Sequence, residues 1–184
     1  MDELLKHGAV LPDTFFPVEN LEKYIHLGSI KSYAKGSAVV LPGEDTYSII
    51  YVLSGRLRVN MLIDGGRERL NFIAGKYGLL GRLFKTCNEI YAVALEDSQV
   101  CFFSKQQLRK IFQLDDELIF DVLKNYLSKA SYYMKQTAEM DYFNPTVRVV
   151  RLLHQLCVCK GIPVGNSHEV ITELSLKNIS EITG

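Results

Sequence analysis

Residues 48–73 of this chain read SIIYVLSGRLRVNMLIDGGRERLNFI. Three short apolar runs, Ser48–Leu53, Leu57–Ile63 and Arg69–Ile73, are separated by the turn residues Ser54-Gly55 and Asp64-Gly65-Gly66. Apolar runs of this length bounded by glycine indicate β-strands, and Asp-Gly or Gly-Gly between two such runs favours a tight hairpin. The stretch therefore predicts consecutive antiparallel strands.

The same pattern extends to both sides of this stretch. Further apolar runs, punctuated by Pro42-Gly43 and Ala74-Gly75, occupy Ala38–Leu41, Ile90–Leu95 and Gln99–Phe103. Many short strands at nearly regular spacing are typical of an antiparallel sandwich or barrel. Before them we predict only a short helix, Val18–His26.

After the last of these strands the apolar spacing becomes helical. Ser104 and Gln107 form a capping-box start for a short helix through Phe112, and Asp115 is the expected cap of a long helix reaching about Asp141. Apolar and small residues recur along the long helix at alternating steps of four and three: Ile119, Leu123, Tyr126, Ala130, Tyr133, Thr137 and Met140. This narrow stripe is typical of a two-stranded coiled coil and predicts a homodimer.

Two further signals follow the long helix. Asn144-Pro145 is an N-cap with proline in the first helical position, and it opens a helix through Cys159 that Gly161 ends. Beyond it we predict two strands, Ile162–Val164 and Glu169–Glu173.

The last residues, 174–184, read LSLKNISEITG. Ser175 is the expected N-cap of a helix that Gly184 ends. Its inward positions are expected to be Leu176, Ile179 and Ile182. A helix and turn glycine in this position indicate the first half of a helix-turn-helix, so we expect the recognition helix to lie beyond Gly184.

Composition narrows the class of protein. The chain has 184 residues, 47% of them hydrophobic, with 21 basic and 21 acidic side chains. A neutral chain has no general attraction to nucleic acid, so DNA contacts are expected from a local patch beyond the last residue. Neither a signal peptide nor an apolar run of membrane-spanning length is present, and we expect a cytoplasmic protein with no membrane partner.

The metal-binding residue types are scattered. The four cysteines (Cys87, Cys101, Cys157 and Cys159) contain no Cys-x-x-Cys pair, and the four histidines show no ligand spacing. We therefore expect buried free thiols, no metal and no cofactor.

The order of these elements resembles the CRP/FNR family of bacterial transcription regulators. Residues 35–44, KGSAVVLPGE, and 50–57, IYVLSGRL, are similar to the family's glycine-bearing β-roll turns. The resemblance implies an α+β fold with an antiparallel β-roll like that of cyclic nucleotide-binding domains, a long dimerisation helix and a winged helix-turn-helix. The expected domains are a β-roll at 1–113, a dimerisation helix and hinge at 114–143, and part of the DNA-binding domain at 144–184.

Departures from the family's patterns bear on the ligand. Residues 77–84 read YGLLGRLF where cyclic nucleotide-binding members have a Gly-Glu-Leu turn, and Asn88-Glu89 replaces their phosphate-binding Arg-Ser pair. A carboxylate at Glu89 repels a phosphate, which disfavours cyclic AMP. The first cysteine is Cys87, so the N-terminal cysteines of the iron–sulfur members are missing.

Other stretches resemble the branch of the family that regulates halorespiration: residues 124–129, KNYLSK, 144–148, NPTVR, and the closing 174–184. That resemblance implies an activator that binds ortho-chlorinated phenolic acids and acts with promoter DNA and RNA polymerase. The phenolate would be held by Tyr126 and Lys129 and by Arg82, where the branch has lysine. The carboxylate would lie near Gly81, Thr86 and Asn88.

The acidity of halogenated phenols supports a ligand of this kind. An ortho halogen lowers the pKa of a phenol from its usual value of about 10, so the halogenated molecule ionises near neutral pH and its dehalogenated product does not. Cationic side chains in a dry site favour only the anion. We predict a regulator and not an enzyme. The open alternatives are another aromatic or redox signal, a β-roll module acting on a protein partner, and a cupin-like metal-dependent oxygenase.

Overall fold

The computed structural model describes residues 11–184, except for 43, 45–46, 64–65, 85–89 and 173. A 3₁₀ helix, Glu19–Leu27, comes first, near the predicted Val18–His26. The strands are β1 (Ser29–Tyr33), β2 (Ala38–Val40), β3 (Ser48–Ser54), β4 (Leu57–Ile63), β5 (Arg67–Ala74), β6 (Leu79–Gly81), β7 (Ile90–Ala94), β8 (Ser98–Ser104), β9 (Gly161–Val164) and β10 (Ser167–Val170). The α-helices are α1 (Lys105–Leu114), α2 (Glu117–Tyr142), α3 (Pro145–Lys160) and α4 (Leu176–Thr183).

The chain forms two compact units. One is Phe15–Leu127, and the other contains Ser128–Gly184 together with the described residues up to Thr14. Since helix α2 runs from 117 to 142, it contributes to both. Among the helices of the described ranges, none combines the length and the hydropathy that a membrane-spanning segment requires.

The first unit is a β-roll of two antiparallel sheets, with strand orders β1-β8-β3-β6 and β2-β7-β4-β5. Strand β3 lies inside its sheet, and its residues from Ile49 to Leu53 are buried. Strands β4 and β5, predicted on either side of Asp64-Gly65-Gly66, pair antiparallel with Ile63 opposite Arg67, while Asp64 and Gly65 of the predicted turn lie outside the described residues. The α+β fold class expected from the sequence is therefore correct.

Strands β1 and β6 are not predicted by the sequence analysis. Four of the five residues of β1 are exposed, so this edge strand has no apolar run to reveal it. Strand β6 has three residues, too few for an alternating pattern. Both are recognisable only through their antiparallel partners, β8 and β3.

The start of the long helix differs from the prediction. The capping box at Ser104 and Gln107 is present and opens α1. Asp115, however, is the C-cap of α1: its N–H donates to the Ile111 carbonyl at 2.9 Å, and its carboxylate accepts a hydrogen bond from Tyr24. Helix α2 begins at Glu117, so the prediction that Asp115 caps it is wrong.

The predicted stripe of α2 is exposed in part: Ile119, Leu123, Ala130 and Thr137 are exposed, whereas Tyr126, Tyr133 and Met140 are half-buried. Leu118, Asn125, Lys129 and Tyr132 are buried along one face, and this draws Tyr126 and Tyr133 onto a partly buried flank. A second, exposed stripe of apolar and small residues consists of Phe120, Leu123, Leu127, Ala130 and Met134. They also recur at alternating steps of three and four, which is the spacing of a coiled-coil seam.

In the second unit the predicted caps are correct. The Asn144 side chain accepts the Val147 N–H at 3.0 Å at the start of α3, and Ser175 accepts the Asn178 N–H at 3.1 Å at the start of α4. Strand β10 begins at Ser167, before the predicted Glu169, because a two-residue turn with Gly165 at φ 59° joins it to β9.

One inward position of α4 was assigned wrongly. Ile182 is buried and Ile179 half-buried, as expected, but the side chain of Leu176 is 86% exposed. Leu176 is the first residue of the helix, and the buried residues of α4 are Asn178, Ile182 and Thr183.

Candidate functional site

A cavity of about 470 Å³ lies within the first unit, beside the β-roll, α1 and the N-terminal half of α2. Its volume falls in the range of small-molecule sites, about 300 to 1,000 Å³. The lining residues are Leu21, Ile49, Leu79, Gly81, Arg82, Leu83, Phe84, Ile90, Leu108, Phe112, Val122 and Tyr126. The wall is therefore almost entirely apolar and carries one guanidinium and one phenol.

The turn at Gly81 and Arg82 is fixed by its backbone. Gly81 has φ 96°, and a Cβ at this position would collide with the carbonyl oxygen of Ser48. The next N–H, that of Arg82, donates to the same carbonyl at 3.2 Å, and the Arg82 guanidinium reaches the Glu44 carbonyl at 3.4 Å. Only glycine fits the first position, and the turn places the arginine at the cavity wall.

Tyr126 approaches the cavity from α2, one turn after Val122, which is also on the wall. Burial raises the pKa of the Tyr126 phenol to about 12. The phenol is therefore neutral at physiological pH and can donate a hydrogen bond to an anionic oxygen as well as accept one.

Lys129 follows Tyr126 by three residues on the same helix, and its side chain is not among those lining the cavity. It is only 5% exposed, and burial lowers its pKa to about 7. A lysine on a long helix would ordinarily be solvated. At neutral pH the ammonium and amine forms of Lys129 are present in similar amounts, so a nearby anion would shift the equilibrium toward the ammonium form.

The six predicted site residues thus divide into three groups. The structure brings Gly81, Arg82 and Tyr126 together around one cavity. Lys129 is buried further along α2. Thr86 and Asn88 lie outside the described residues.

A second cavity inside the roll, lined in part by Ile50, Val59 and Tyr91, measures about 30 Å³. That volume admits about two water molecules, so the larger cavity is the candidate for a small organic ligand. Gly81, Arg82 and Ile90 contribute to both walls.

Sequence reasoning missed the apolar wall. Leu21, Ile49 and Leu79 belong to the buried core, and nothing in a core residue's type distinguishes a cavity wall from solid packing. Two residues of the wall, Leu108 and Phe112 on α1, could have been predicted from the sequence. They are one turn apart on the apolar face of an amphipathic helix, directly before the helix that carries Tyr126.

The cysteines are not part of this cavity. Cys101 is a buried free thiol, as predicted, and burial raises its pKa to about 11, which keeps it unreactive. Cys157 and Cys159 are free but only half-buried, and Cys87 lies outside the described residues. Within the described ranges, no three His, Cys, Asp or Glu side chains are grouped as metal ligands would be.

Comparisons with known proteins agree with this architecture. The family model of the cyclic nucleotide-binding domain matches residues 30–115. A structure of OCPA-complexed CprK has a TM-score of 0.87 and 44% identity, over 96% of this chain and 82% of that one. Oxidized CprK in complex with o-chlorophenolacetic acid has a TM-score of 0.70 and 44% identity, over 96% and 75%.

A more distant likeness shows the fold alone. A CooA mutant from Carboxydothermus hydrogenoformans has a TM-score of 0.80 at 15% identity, over 96% of this chain and 80% of that one. No curated protein sequence matches the chain.

Proposed function

The chain belongs to the CRP/FNR family of effector-controlled transcription regulators, and we propose that it activates genes of halorespiration on binding an ortho-chlorinated phenolic acid. The observation that carries this proposal is the apolar cavity with Arg82 and Tyr126 on its wall. It is supported by the 44% identity to CprK, which has been crystallised with o-chlorophenolacetic acid.

Each predicted site residue has a role in this proposal. Tyr126 and Lys129 hold the phenolate, and Arg82 supplies a second cation. Gly81, Thr86 and Asn88 hold the carboxylate. The aromatic ring and its chlorine lie against leucine, isoleucine and phenylalanine side chains of the wall, where the burial of apolar surface contributes about 25 cal/mol per Å².

Selectivity follows from the charge of the ligand. A chlorophenolate presents an anion to Arg82 and to a lysine whose pKa is about 7. The dechlorinated phenol is neutral near pH 7 and leaves the cations uncompensated in a dry site, which costs on the order of a few kcal/mol. The regulator therefore responds to the substrate of a dehalogenation pathway and not to its product.

The rest of the chain carries the signal to DNA. We propose that residues 1–113 sense the effector, that 114–143 pair with a second copy, and that 144–184 form part of the DNA-binding domain. The exposed stripe of α2, with Leu127 62% and Met134 74% exposed, supports pairing through that helix. Promoter DNA and RNA polymerase are the expected partners in the cytoplasm, and no enzymatic activity is proposed.

Calorimetry with matched ligands tests this function. The purified protein is titrated at pH 7 with 3-chloro-4-hydroxyphenylacetic acid and with 4-hydroxyphenylacetic acid. We expect the chlorinated acid to bind at least about tenfold more tightly, a difference of about 1.4 kcal/mol. Raising the pH toward the pKa of the unchlorinated phenol should narrow the difference.

Two outcomes would contradict the proposal. Equal affinities at pH 7 would remove the charge-based selectivity and favour another aromatic acid as the effector. Binding of neither acid, together with recovery of a protein partner and no operator binding by the full-length protein, would favour a β-roll module that acts on proteins.

A further inference from the structure

Two helix ends meet at one place in the second unit. The last carbonyls of an α-helix have no intrahelical N–H partner and carry partial negative charge. Helix α2 ends at Tyr142 and helix α4 ends at Thr183. Carbonyls at both helix ends accept hydrogen bonds from the side chains of Arg148 and Gln136, and these bonds hold the two helices together.

Arg148, on the first turn of α3, bonds to both ends. One terminal nitrogen, Nη1, donates to the Met140 carbonyl at 3.2 Å and to the Phe143 carbonyl at 3.0 Å. The other, Nη2, donates to the Gly184 carbonyl at 2.9 Å. A single planar guanidinium therefore bridges the end of α2 to the end of α4, a geometry that the arginine fork allows and a lysine ammonium does not.

Two neighbouring residues reinforce this bridge. Gln136 on α2 donates through Nε2 to the Ile182 carbonyl at 2.9 Å, which is a second bond from α2 to the end of α4. Gly184 has φ 78°, and a Cβ there would lie 3.3 Å from Arg148 Nη2. Glycine is thus the residue that adopts this conformation readily and lets its carbonyl approach the guanidinium.

We propose that Arg148 is the positioning residue of the DNA-binding part: it fixes α4, the first helix of the helix-turn-helix, to the end of α2, so that a displacement of α2 is transmitted to the DNA-reading helices. The inference rests on the proposed function for its DNA readout. Its structural content, that the Arg148 guanidinium anchors the end of α4 beside the end of α2, is independent of which effector the cavity binds.

Arg151 provides a matched control on the same helix. It lies three residues after Arg148, pairs with Glu139 at 3.1 Å and has its guanidinium 4.5 Å from the Phe143 ring. Both partners belong to the end of α2 or the turn after it. Replacing Arg151 removes the same charge from α3 but leaves the bonds to Met140, Phe143 and Gly184 in place.

The experiment compares Arg148→Ala, Arg148→Lys and Arg151→Ala in the full-length protein. Calorimetry gives the affinity for 3-chloro-4-hydroxyphenylacetic acid. Fluorescence anisotropy gives the affinity for an operator duplex, selected from random sequence by the wild type, with and without that acid. Arg148→Ala should leave the acid's affinity within about twofold but reduce the acid-induced gain in operator affinity by about tenfold, within the usual range of allosteric coupling. Arg148→Lys should fall between, and Arg151→Ala should keep the gain.

Hydrogen exchange supplies a readout that does not depend on DNA. Amides of residues 179–184 should exchange at least about tenfold faster in Arg148→Ala than in Arg151→Ala, because the end of α4 loses its anchor. Gln136→Met, which removes the bond to the Ile182 carbonyl and a 3.3 Å bond to the Tyr132 hydroxyl, should show a smaller change in the same direction. Arg148→Lys replaces Arg148→Ala as the test variant if the latter does not fold.

The two proposals fail in different ways. A wild type with no acid-dependent operator binding contradicts the proposed function, while exchange in α4 still tests the anchor. If Arg148→Ala retains the full acid-induced gain, or if its α4 amides exchange as in the wild type, Arg148 is not the positioning residue.

Discussion

Tyr51 donates a 2.9 Å hydrogen bond to the carbonyl of Val18, and both residues are completely buried. This bond attaches the 3₁₀ helix that contributes Leu21 to the cavity wall. In Tyr51→Phe the buried carbonyl of Val18 keeps only its 3.3 Å bond from the Leu21 N–H, so the free energy of unfolding should fall by about 0.5–1.5 kcal/mol. Urea denaturation measures the change. Exposed Tyr142→Phe is the control and should be neutral, and an unchanged midpoint for Tyr51→Phe would show that the bond does not contribute.

The cavity should close when its wall on α2 is enlarged. Val122→Trp introduces a bulky ring beside Tyr126, and we expect the affinity for 3-chloro-4-hydroxyphenylacetic acid to fall by about tenfold or more, or at least 1.4 kcal/mol. Calorimetry provides the affinity, and the urea midpoint verifies folding. Lys124→Trp, on the exposed side of the same helix, should bind normally. Full affinity in folded Val122→Trp would place the ligand elsewhere.

The two cations should contribute unequally to binding. Lys129→Ala removes a buried charge, whereas the Arg82 guanidinium already donates to the Glu44 carbonyl. We expect Lys129→Ala to weaken binding of the chlorinated acid by on the order of 10- to 100-fold, and Arg82→Ala by less, because charged hydrogen bonds contribute about 1.5–3 kcal/mol. Titration calorimetry of both variants compares them. Unchanged affinity in Lys129→Ala would remove this residue from the site.

Lys129 should also give the free protein a characteristic dependence of stability on pH. Its pKa is about 7 in the folded chain and about 10.4 when unfolded, so between these values the unfolded state binds more protons. The free energy of unfolding should therefore rise with pH in this window, by up to about 1.4 kcal/mol per pH unit. Below pH 7 this residue adds no slope.

The variant Lys129→Met isolates that contribution. Urea denaturation at pH 7, 8 and 9 should give the wild type a steeper rise in unfolding free energy than the variant, because all other titrating groups are shared. Parallel curves for the two proteins would mean that Lys129 keeps an ordinary pKa in the folded state.

The exposed stripe of α2 predicts the oligomeric state. Leu127→Glu places a charge in the middle of the apolar stripe, and we expect the dimer to dissociate at least about tenfold more readily, since burying an unpaired carboxylate is unfavourable. Sedimentation velocity over a concentration series measures this. Lys124→Glu, on the same helix but outside the stripe, should remain dimeric, and a dimeric Leu127→Glu would show that pairing uses another surface.

Local signals were the most reliable part of the sequence. Two helix starts are set by hydrogen bonds between residues close in the sequence: the capping box of Ser104 and Gln107, and the Asn144 cap before Pro145. Such motifs can be recognised without knowledge of the tertiary structure. The strands in residues 48–73 were equally readable, because their apolar runs are long and bounded by glycine.

What the sequence did not reveal depends on tertiary contacts. Along α2 two stripes share Leu123 and Ala130 and differ by one residue elsewhere, and the burial of Asn125 and Lys129 decides which stripe is the more exposed. The sequence predicts Tyr126 both on the dimer seam and at the ligand, and the structure has it half-buried on the cavity wall. The apolar wall joins residues from Leu21 to Val122, a separation that no local pattern spans.

The lack of space for a side chain at Gly81 limits how the ligand specificity of related proteins can change. A side chain is excluded at that position whatever molecule is bound, so descendants of this regulator with new inducers should keep the glycine and vary at its neighbour Arg82 or at Phe112. A library that retargets the sensor to new aromatic ligands should randomise those two codons and leave the glycine codon untouched.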